Sequence, residues 1–347
     1  MYKRQVVKWA ALVLAIVIGF FVAFLLGYVV IPWLHKLKFG QTILDIGPSW
    51  HKKKQGTPTM GGILFISGVL VSLIVVLVTD RIMGGDLVAG DSLVAGSVKT
   101  KFYSGIIMAL AFALIGFIDD YIKVVKKRNL GLTIFQKTIA QIVVMAGYLA
   151  SLHMAGATYM YVPFVGNVDL KWFFWIFGAA VIYCTVNAVN FTDGIDGLCA
   201  SVTATFAIAG IVIAIMRGVF GVSVLCAALF GSLAGYLIWN WNPAKVMMGD
   251  MGSMFLGGMV VAVAYCLDMP WIILLMGIVY VMEFGSDIIQ IAYFKLTHGK
   301  RLFKMAPIHH HFEKCGWKEK KIVYVFSLIN IIGCIIAVLL VYFGQPA

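Results

Sequence analysis

Ten apolar runs of roughly twenty residues, each bounded by a short polar stretch, organise the chain and predict membrane-spanning helices. They cover about residues 9–34, 59–79, 102–118, 134–152, 173–189, 198–216, 219–239, 254–267, 271–295 and 322–343. Their length argues against a porin-like barrel, whose strands would be short and alternating. Between the fourth and fifth runs, residues 159–172 alternate in character around Gly166-Asn167, which predicts a small β-hairpin. Pro270 suits the first turn of the ninth helix. Glu283 and Asp287 lie at i, i+4 inside that helix with Gly285 between them. Like charges at this spacing repel, which predicts a kink, a break or an opening to water. The basic start Lys3-Arg4-Lys8 precedes a run too long for a signal peptide and without a clear cleavage site, so that run counts as the first span. The expected fold is an all-α polytopic integral membrane protein, a single domain over residues 1–347 with ten transmembrane helices, a small hairpin and a kinked or broken ninth helix.

Composition strengthens this reading. Of 347 residues, 62% are hydrophobic and only 12% charged, with a mean hydropathy of +0.97; a soluble protein carries about twice that charge. The net charge of +12 fits anionic lipid and a positive-inside bias, and makes nucleic acid a poor partner. Six cysteines show no paired spacing and read as small hydrophobes. Ten spans put both termini on one side and five loops on the other. Those loops, within residues 35–58, 119–138, 190–197, 240–253 and 295–321, hold 19 of the 27 Lys and Arg residues. The excess predicts that they are cytoplasmic, with both termini and the hairpin extracytoplasmic. Asp119, Asp120, Asp193, Asp196 and Asp250 fall on the same face, as do all the histidines except His153.

Ionisable residues at membrane depth cost roughly 2.5–3.5 kcal/mol each on insertion scales, so their clustering points to chemistry. Asp119-Asp120 can bind a divalent cation, or one can serve as base while the other holds metal; the plainer reading is two solvated acids facing nearby lysines. Asp193 and Asp196 are three residues apart, with Gly194 and Gly197 allowing close backbone approach to a ligand; Asp196 would equally cap the sixth helix. Asp250 lies between glycines at a helix start, where N–H groups suit phosphate and the carboxylate suits Mg²⁺. Residues 56–62 follow three lysines and lack the Gly-Lys-Ser/Thr ending of a Walker A loop, but Lys54 could grip phosphate there. His309, His310 and His311 are consecutive, so their side chains diverge and lack the i, i+4 spacing of a helical zinc pair. They suit phosphates or sugar hydroxyls better. Acids with Mg²⁺ and cations for phosphate, gathered at one membrane face, are the equipment of phosphoryl transfer.

Five motifs then carry a resemblance. Lys54-x-Gly56-Thr57-Pro58-Thr59-Met60-Gly61-Gly62, Phe117-Ile118-Asp119-Asp120-Tyr121, Asn187-x-x-Asn190-x-x-Asp193-Gly194-x-Asp196-Gly197-Leu198, Gly249-Asp250-x-Gly252-Ser253 and Met305-Ala306-Pro307-Ile308-His309-His310-His311-Phe312-Glu313 resemble, in order, the motifs of phospho-N-acetylmuramoyl-pentapeptide transferases. The resemblance implies a homodimeric, Mg²⁺-dependent enzyme of the bacterial plasma membrane. It would move phospho-MurNAc-pentapeptide from UDP-MurNAc-pentapeptide onto undecaprenyl phosphate, giving lipid I and UMP. Carried over by motif, Asp250 would bind Mg²⁺, with Asp119 and Asp120 as further candidate ligands, and Asp119 or Asp120 would deprotonate or orient the lipid phosphate. Asn187, Asn190, Asp193 and Asp196 would hold the nucleotide-sugar. Lys54, Thr59, Lys123, Lys137, His309, His310 and His311 would contact phosphates or substrate. Two positions depart from the family pattern: Met247 stands where a Phe usually precedes Met-Gly-Asp beside the nucleobase, and Asp287 stands at a position that is usually apolar. The competing readings are a sister transferase using UDP-GlcNAc and a transporter; the latter would need a polar path at the bilayer midplane, whereas these motifs sit at span ends.

Overall fold

Apolar runs with few helix breakers fold as long helices, because in lipid every backbone N–H and C=O must be satisfied within the segment. The computed structural model describes residues 2–37, 56–90, 94–125 and 131–344. Its helices are α1 (Tyr2–Lys36), α2 (Gly62–Ile82), α3 (Ala95–Val125), α4 (Ile134–Met154), α5 (Phe173–Thr192), α6 (Leu198–Met216), α7 (Phe220–Asn240), α8 (Gly249–Cys266), α9 (Ile273–Met276), α10 (Ile278–Leu296), α11 (Ile308–Lys314) and α12 (Glu319–Phe343). Nine are long and apolar enough to cross a membrane, and the pair Pro270–Met276 and Ile278–Leu296, bent by 88°, makes the tenth candidate span. The protein is an all-α, multi-pass membrane protein.

α8 lies at the centre. Every residue from Gly252 to Cys266 is buried, as expected of a helix that is apolar all round. α3 runs antiparallel against it across small residues: an added Cβ at Gly105 would meet Ala262, one at Gly258 would meet Ala109, and one at Gly116 would meet the Asp250 backbone. Close backbone approach of this kind is how helices associate when lipid supplies no hydrophobic drive between them. At one end of the pair, the buried Lys101 ammonium bonds Asp268 at 2.6 Å. About five turns along α3, roughly 27 Å, Asp119 and Asp120 meet Asp250 at the other end.

Several boundaries differ from the sequence expectation. α2 begins at Gly62 because Pro58–Gly62 is used otherwise: the Pro58 carbonyl accepts from Met247 N–H (2.8 Å), and Gly61 and Gly62 donate to the carbonyls of Met247 and Met248 (2.8 and 3.0 Å). α3 continues past Ile118 and keeps both aspartates within its last turns. α8 starts five residues early, which puts Asp250 in its first turn, where an acid is favoured by the helix dipole. The strands Tyr159–Val162 (β1) and Gly166–Asp169 (β2) pair antiparallel with Val162 opposite Gly166. The turn is therefore Pro163-Phe164-Val165, and Gly166-Asn167 belongs to the second strand. The hairpin docks at the Asp268 end, where Tyr161 N–H donates to the Asp268 carbonyl (2.6 Å) and Trp271 Nε1 to the Tyr161 carbonyl (2.7 Å).

The ninth span breaks at Gly277 rather than at Glu283–Asp287. A break exposes carbonyls, and α12 answers them: buried Asn330 donates through Nδ2 to the Met276 carbonyl (2.9 Å) and to Thr205 Oγ1 (2.7 Å). Asn330→Leu should cost about 1–3 kcal/mol, read as a lower thermal midpoint in detergent; an unchanged midpoint would show that the break does not depend on this side chain.

Candidate active site

Asp119, Asp120 and Asp250 are brought together where α3 leaves the core against the start of α8. One oxygen from each lies within 4.8 Å of the others. Three carboxylates this close repel unless cations intervene. Lys123, one turn beyond Asp119 on α3, places its ammonium 2.5 Å from Asp119, 3.0 Å from Asp250 and 3.8 Å from Asp120. Lys137, from the first turn of α4, reaches Asp250 at 3.1 Å. α4 is fixed there by a capping box: Gln136 N–H donates to Thr133 Oγ1 and Thr133 N–H to Gln136 Oε1. Backbone donors orient the acids further. Leu132 N–H bonds Asp119 (2.7 Å) and Met251 N–H bonds Asp120 (3.1 Å). Two ammonium groups thus face three carboxyl groups, of which those of Asp119 and Asp120 are buried.

The end of α5 adds amides. Asn190 Nδ2 donates to Asp250 Oδ1 (3.0 Å) and to Ser253 Oγ (2.8 Å). Asn187, one turn earlier, pairs with Gln141 of α4 (3.0 Å) and the Tyr183 carbonyl (2.8 Å). It thus joins α4 to α5 beside the cluster rather than pointing at it. Thr59 lies at the same place, since a Cβ on Gly249 would meet both Thr59 Oγ1 and Asp120. Gly249 has φ +71, a backbone that glycine adopts without strain.

The three histidines diverge as their spacing predicts. His309 is buried; its Nδ1 is 2.9 Å from Glu283 Oε2, and its Nε2 has no hydrogen-bond partner among the described residues. That ring edge faces Gly194, where any Cβ would collide with it. His310 Nδ1 contacts Glu313 (2.6 Å), and His311 Nδ1 accepts from Lys304 N–H (3.1 Å). So His309 joins the Asn190–Gly194 stretch, while the other two brace their own segment.

Asp193 follows α5 as its C-terminal cap residue and is half-buried. Asp196 is buried and turned to the loop before α8, accepting from Asn242 Nδ2 (3.1 Å) and Ala244 N–H (3.0 Å). Met247 is buried, with its backbone stitched to Pro58 and Gly61. Lys54 lies outside the described residues. Sequence reasoning passed over Gln141, the partner of Asn187, and gave Glu283 no tie to His309; a glutamine alone on an apolar span was the one available signal for the first.

The profile described as Glycosyl transferase family 4 matches residues 102–268, from α3 through α8, and the phospho-N-acetylmuramoyl-pentapeptide-transferase signature 1 matches residues 54–66. A phospho-N-acetylmuramoyl-pentapeptide-transferase of Listeria monocytogenes is 43% identical over 90% of this chain and 93% of its own. The chain belongs to the phospho-N-acetylmuramoyl-pentapeptide-transferase family. One of the same name from Clostridium perfringens is 43% identical over 94% of this chain and 95% of its own. The protein is thus a membrane-embedded transferase, and the profile-matched segment holds Asp119, Asp120, Lys123, Lys137, Asn190 and Asp250 but not the Glu283–His309 pair.

The α3–α8 crossing makes a prediction about this transferase. Gly116→Ala pushes a methyl into the Asp250 backbone and should cost about 1–3 kcal/mol, with a loss of turnover. Gly96→Ala, where a Cβ meets open space, is the control. Equal thermal midpoints and turnover for the two variants would remove the crossing from the account.

Proposed function

We propose that the protein transfers phospho-MurNAc-pentapeptide from UDP-MurNAc-pentapeptide to undecaprenyl phosphate, giving lipid I and UMP, the first membrane step of peptidoglycan synthesis. The observation that carries this reading is the joining of Asp119, Asp120 and Asp250 with Lys123 and Lys137 at one end of the helices, in a chain of this family. The donor set fits Mg²⁺: three carboxylate oxygens converge in a space already shared with ammonium groups, so the position favours positive charge. Asp250 would hold the ion, with Asp119 and Asp120 at hand. Bound Mg²⁺ supplies charge stabilisation to the departing phosphate oxygen.

The chain's own groups do the rest. The lipid phosphate gives its proton to Asp119, and its oxygen attacks the sugar-side phosphorus of the UDP-sugar. The bond from that phosphorus to the bridging oxygen breaks, and UMP leaves with the bridging oxygen. Lys123 and Lys137 balance the pyrophosphate charge. Asn190, held by Ser253, orients Asp250. His309, fixed by Glu283, offers Nε2 beside Gly194 toward the sugar side of the donor. Asp193 and the Asp196-braced loop shape the nucleotide side, with Met247 near the base. The family resemblance supports a homodimer.

The test is UMP release from each UDP-sugar by the purified protein with undecaprenyl phosphate. UDP-MurNAc-pentapeptide should be used and UDP-GlcNAc left intact; the reverse would assign the chain to the sister reaction.

The charge asymmetry supports a cytoplasmic site in the plasma membrane. Exposed Cys315, in the segment between α10 and α12, then faces the cytoplasm. A membrane-impermeant maleimide should label it in inverted vesicles and not in intact spheroplasts, with Cys184→Ser as background. Labelling in intact spheroplasts would overturn this orientation.

A further inference from the structure

We propose that the tip of the β1–β2 hairpin, Pro163-Phe164-Val165, is an interfacial anchor that sits at the head-group boundary of the bilayer leaflet opposite the acid cluster. Phe164 has φ +66, in the left-handed region where a Cβ crowds the backbone and where glycine or asparagine is favoured. A hairpin tip surrounded by water usually carries one of those two residues. Here the turn instead holds Phe164 and Val165, which are 72% and 71% exposed. One turn thus combines a strained backbone with two uncovered apolar side chains, a combination that points to a function at the tip and to an apolar partner.

The neighbours identify that partner as lipid. Phe164 N–H donates to the carbonyl of Gly344 (3.0 Å), the residue after α12, and a Cβ on Gly344 would meet Pro163. The tip therefore lies on the end of a membrane span. In the last turn of that span Tyr342 and Phe343 are exposed, and Trp172, just before α5, is exposed in the same way. Tyrosine and tryptophan gather at the level of lipid head groups, where the apolar ring is covered and its polar atom stays wet. Phe164 and Val165 continue this belt from the end of α12. The second strand differs: Asn167 and Asp169 are exposed and polar. An apolar tip beside a polar strand on one ribbon suits the boundary between acyl chains and water.

The base of the hairpin fixes the depth of the tip. Tyr161 N–H donates to the Asp268 carbonyl, and the Tyr161 carbonyl accepts from Trp271. The Tyr161 hydroxyl donates to the Gly344 carbonyl (2.7 Å), and the Arg217 guanidinium lies 3.9 Å from the centre of its ring. The ends of α6, α8 and α12 and the start of the ninth span thus hold one residue, two positions before the turn. A tip carried on such a base needs no ordering when it meets lipid, which lowers the cost of the contact. A second copy of the chain or another protein would also cover Phe164 and Val165, and the experiment separates these occupants from lipid.

A nitroxide is attached in turn to Phe164→Cys, Val165→Cys and Asn167→Cys of the full-length protein, with the exposed Cys184 and Cys315 replaced by serine, in nanodiscs of phosphatidylethanolamine and phosphatidylglycerol. Power saturation of the spin signal is read with oxygen, which concentrates in lipid, and with a neutral nickel chelate, which stays in water. At positions 164 and 165 oxygen should relax the label more than nickel does, at a depth of roughly 5–10 Å into the head-group and acyl boundary, while position 167 should report water. Relaxation dominated by nickel at 164 and 165 would place the tip in water and overturn the proposal. Weak relaxation by both reagents there would show the tip packed against protein, a second copy or another partner, and would overturn it as well. If the cysteine variants do not fold, Phe164→Asn takes their place, because asparagine tolerates this backbone. Its thermal midpoint in detergent should equal or exceed that of the parent protein, and the rise in midpoint on transfer to nanodiscs should shrink. A rise as large as that of the parent protein would overturn the anchor.

Discussion

Asp250→Asn is expected to lower turnover by about 10²–10³-fold while the thermal midpoint stays close to that of the parent protein. Asp250 is the hub of the site. Its Oδ2 receives both Lys123 and Lys137, at 3.0 and 3.1 Å, and its Oδ1 receives Asn190. The amide keeps the shape and can keep its carbonyl oxygen toward Asn190. It would then turn an NH₂ group toward two ammonium groups, and Lys137 would lose its one ion-pair partner among the described residues. A carboxamide is also a poor ligand for a divalent cation. On the proposed reading the variant therefore needs more Mg²⁺ and binds the nucleotide more weakly, whereas chelation of the parent protein stops turnover and added Mg²⁺ restores it. Parent-like turnover in Asp250→Asn would remove this residue from the mechanism.

Asp119→Asn is expected to lower turnover by a similar 10²–10³-fold, the usual scale for loss of a general base, by a different route. Asp119 accepts Leu132 N–H through Oδ1 and meets Lys123 through Oδ2. Asparagine can keep the first contact, so Leu132 before α4 stays in place. It cannot take a proton from the lipid phosphate. Nucleotide affinity measured by calorimetry, with and without Mg²⁺, should change by less than about threefold, roughly 0.7 kcal/mol. If instead Asp119→Asn abolishes Mg²⁺-dependent binding and Asp250→Asn leaves it intact, the two roles are exchanged.

Much of the fold was legible because membranes impose long hydrocarbon runs, and such runs leave few alternatives to a helix. Their ends were less legible because tertiary partners set them. Residues 59–61 read as a helix start, but Pro58 and Gly61 pair with Met247, and Gly62 pairs with Met248. α3 continues through two adjacent acids because Lys123 and the Leu132 and Met251 N–H groups answer their charge. The ninth span showed the same limit. Glu283 and Asp287 looked like the cause of a break, yet Glu283 is engaged through Oε2 by His309, which no local spacing announces, and the break falls at Gly277, where Asn330 from α12 serves the open carbonyl.

The site residues divide similarly. Asp119, Asp120, Asp250 and Asn190 were readable as out-of-place polar groups in apolar sequence, Lys123 and Lys137 only through the family resemblance, and the fold gathers all six by direct contact. Asp196 carried the same signal, but its carboxylate holds the loop at Asn242 and Ala244. Composition cannot separate those two uses of a buried acid, because both need one carboxylate with donors around it.

The central claim is transfer to a lipid acceptor, and one measurement addresses it most directly. Purified protein in detergent with Mg²⁺ and UDP-MurNAc-pentapeptide is titrated with radiolabelled undecaprenyl phosphate, and UMP and labelled lipid products are counted together. The account predicts one UMP for each lipid carrying the phospho-sugar-peptide, and no UMP when the lipid is withheld. UMP released without the lipid, or lipid consumed without UMP, would contradict it.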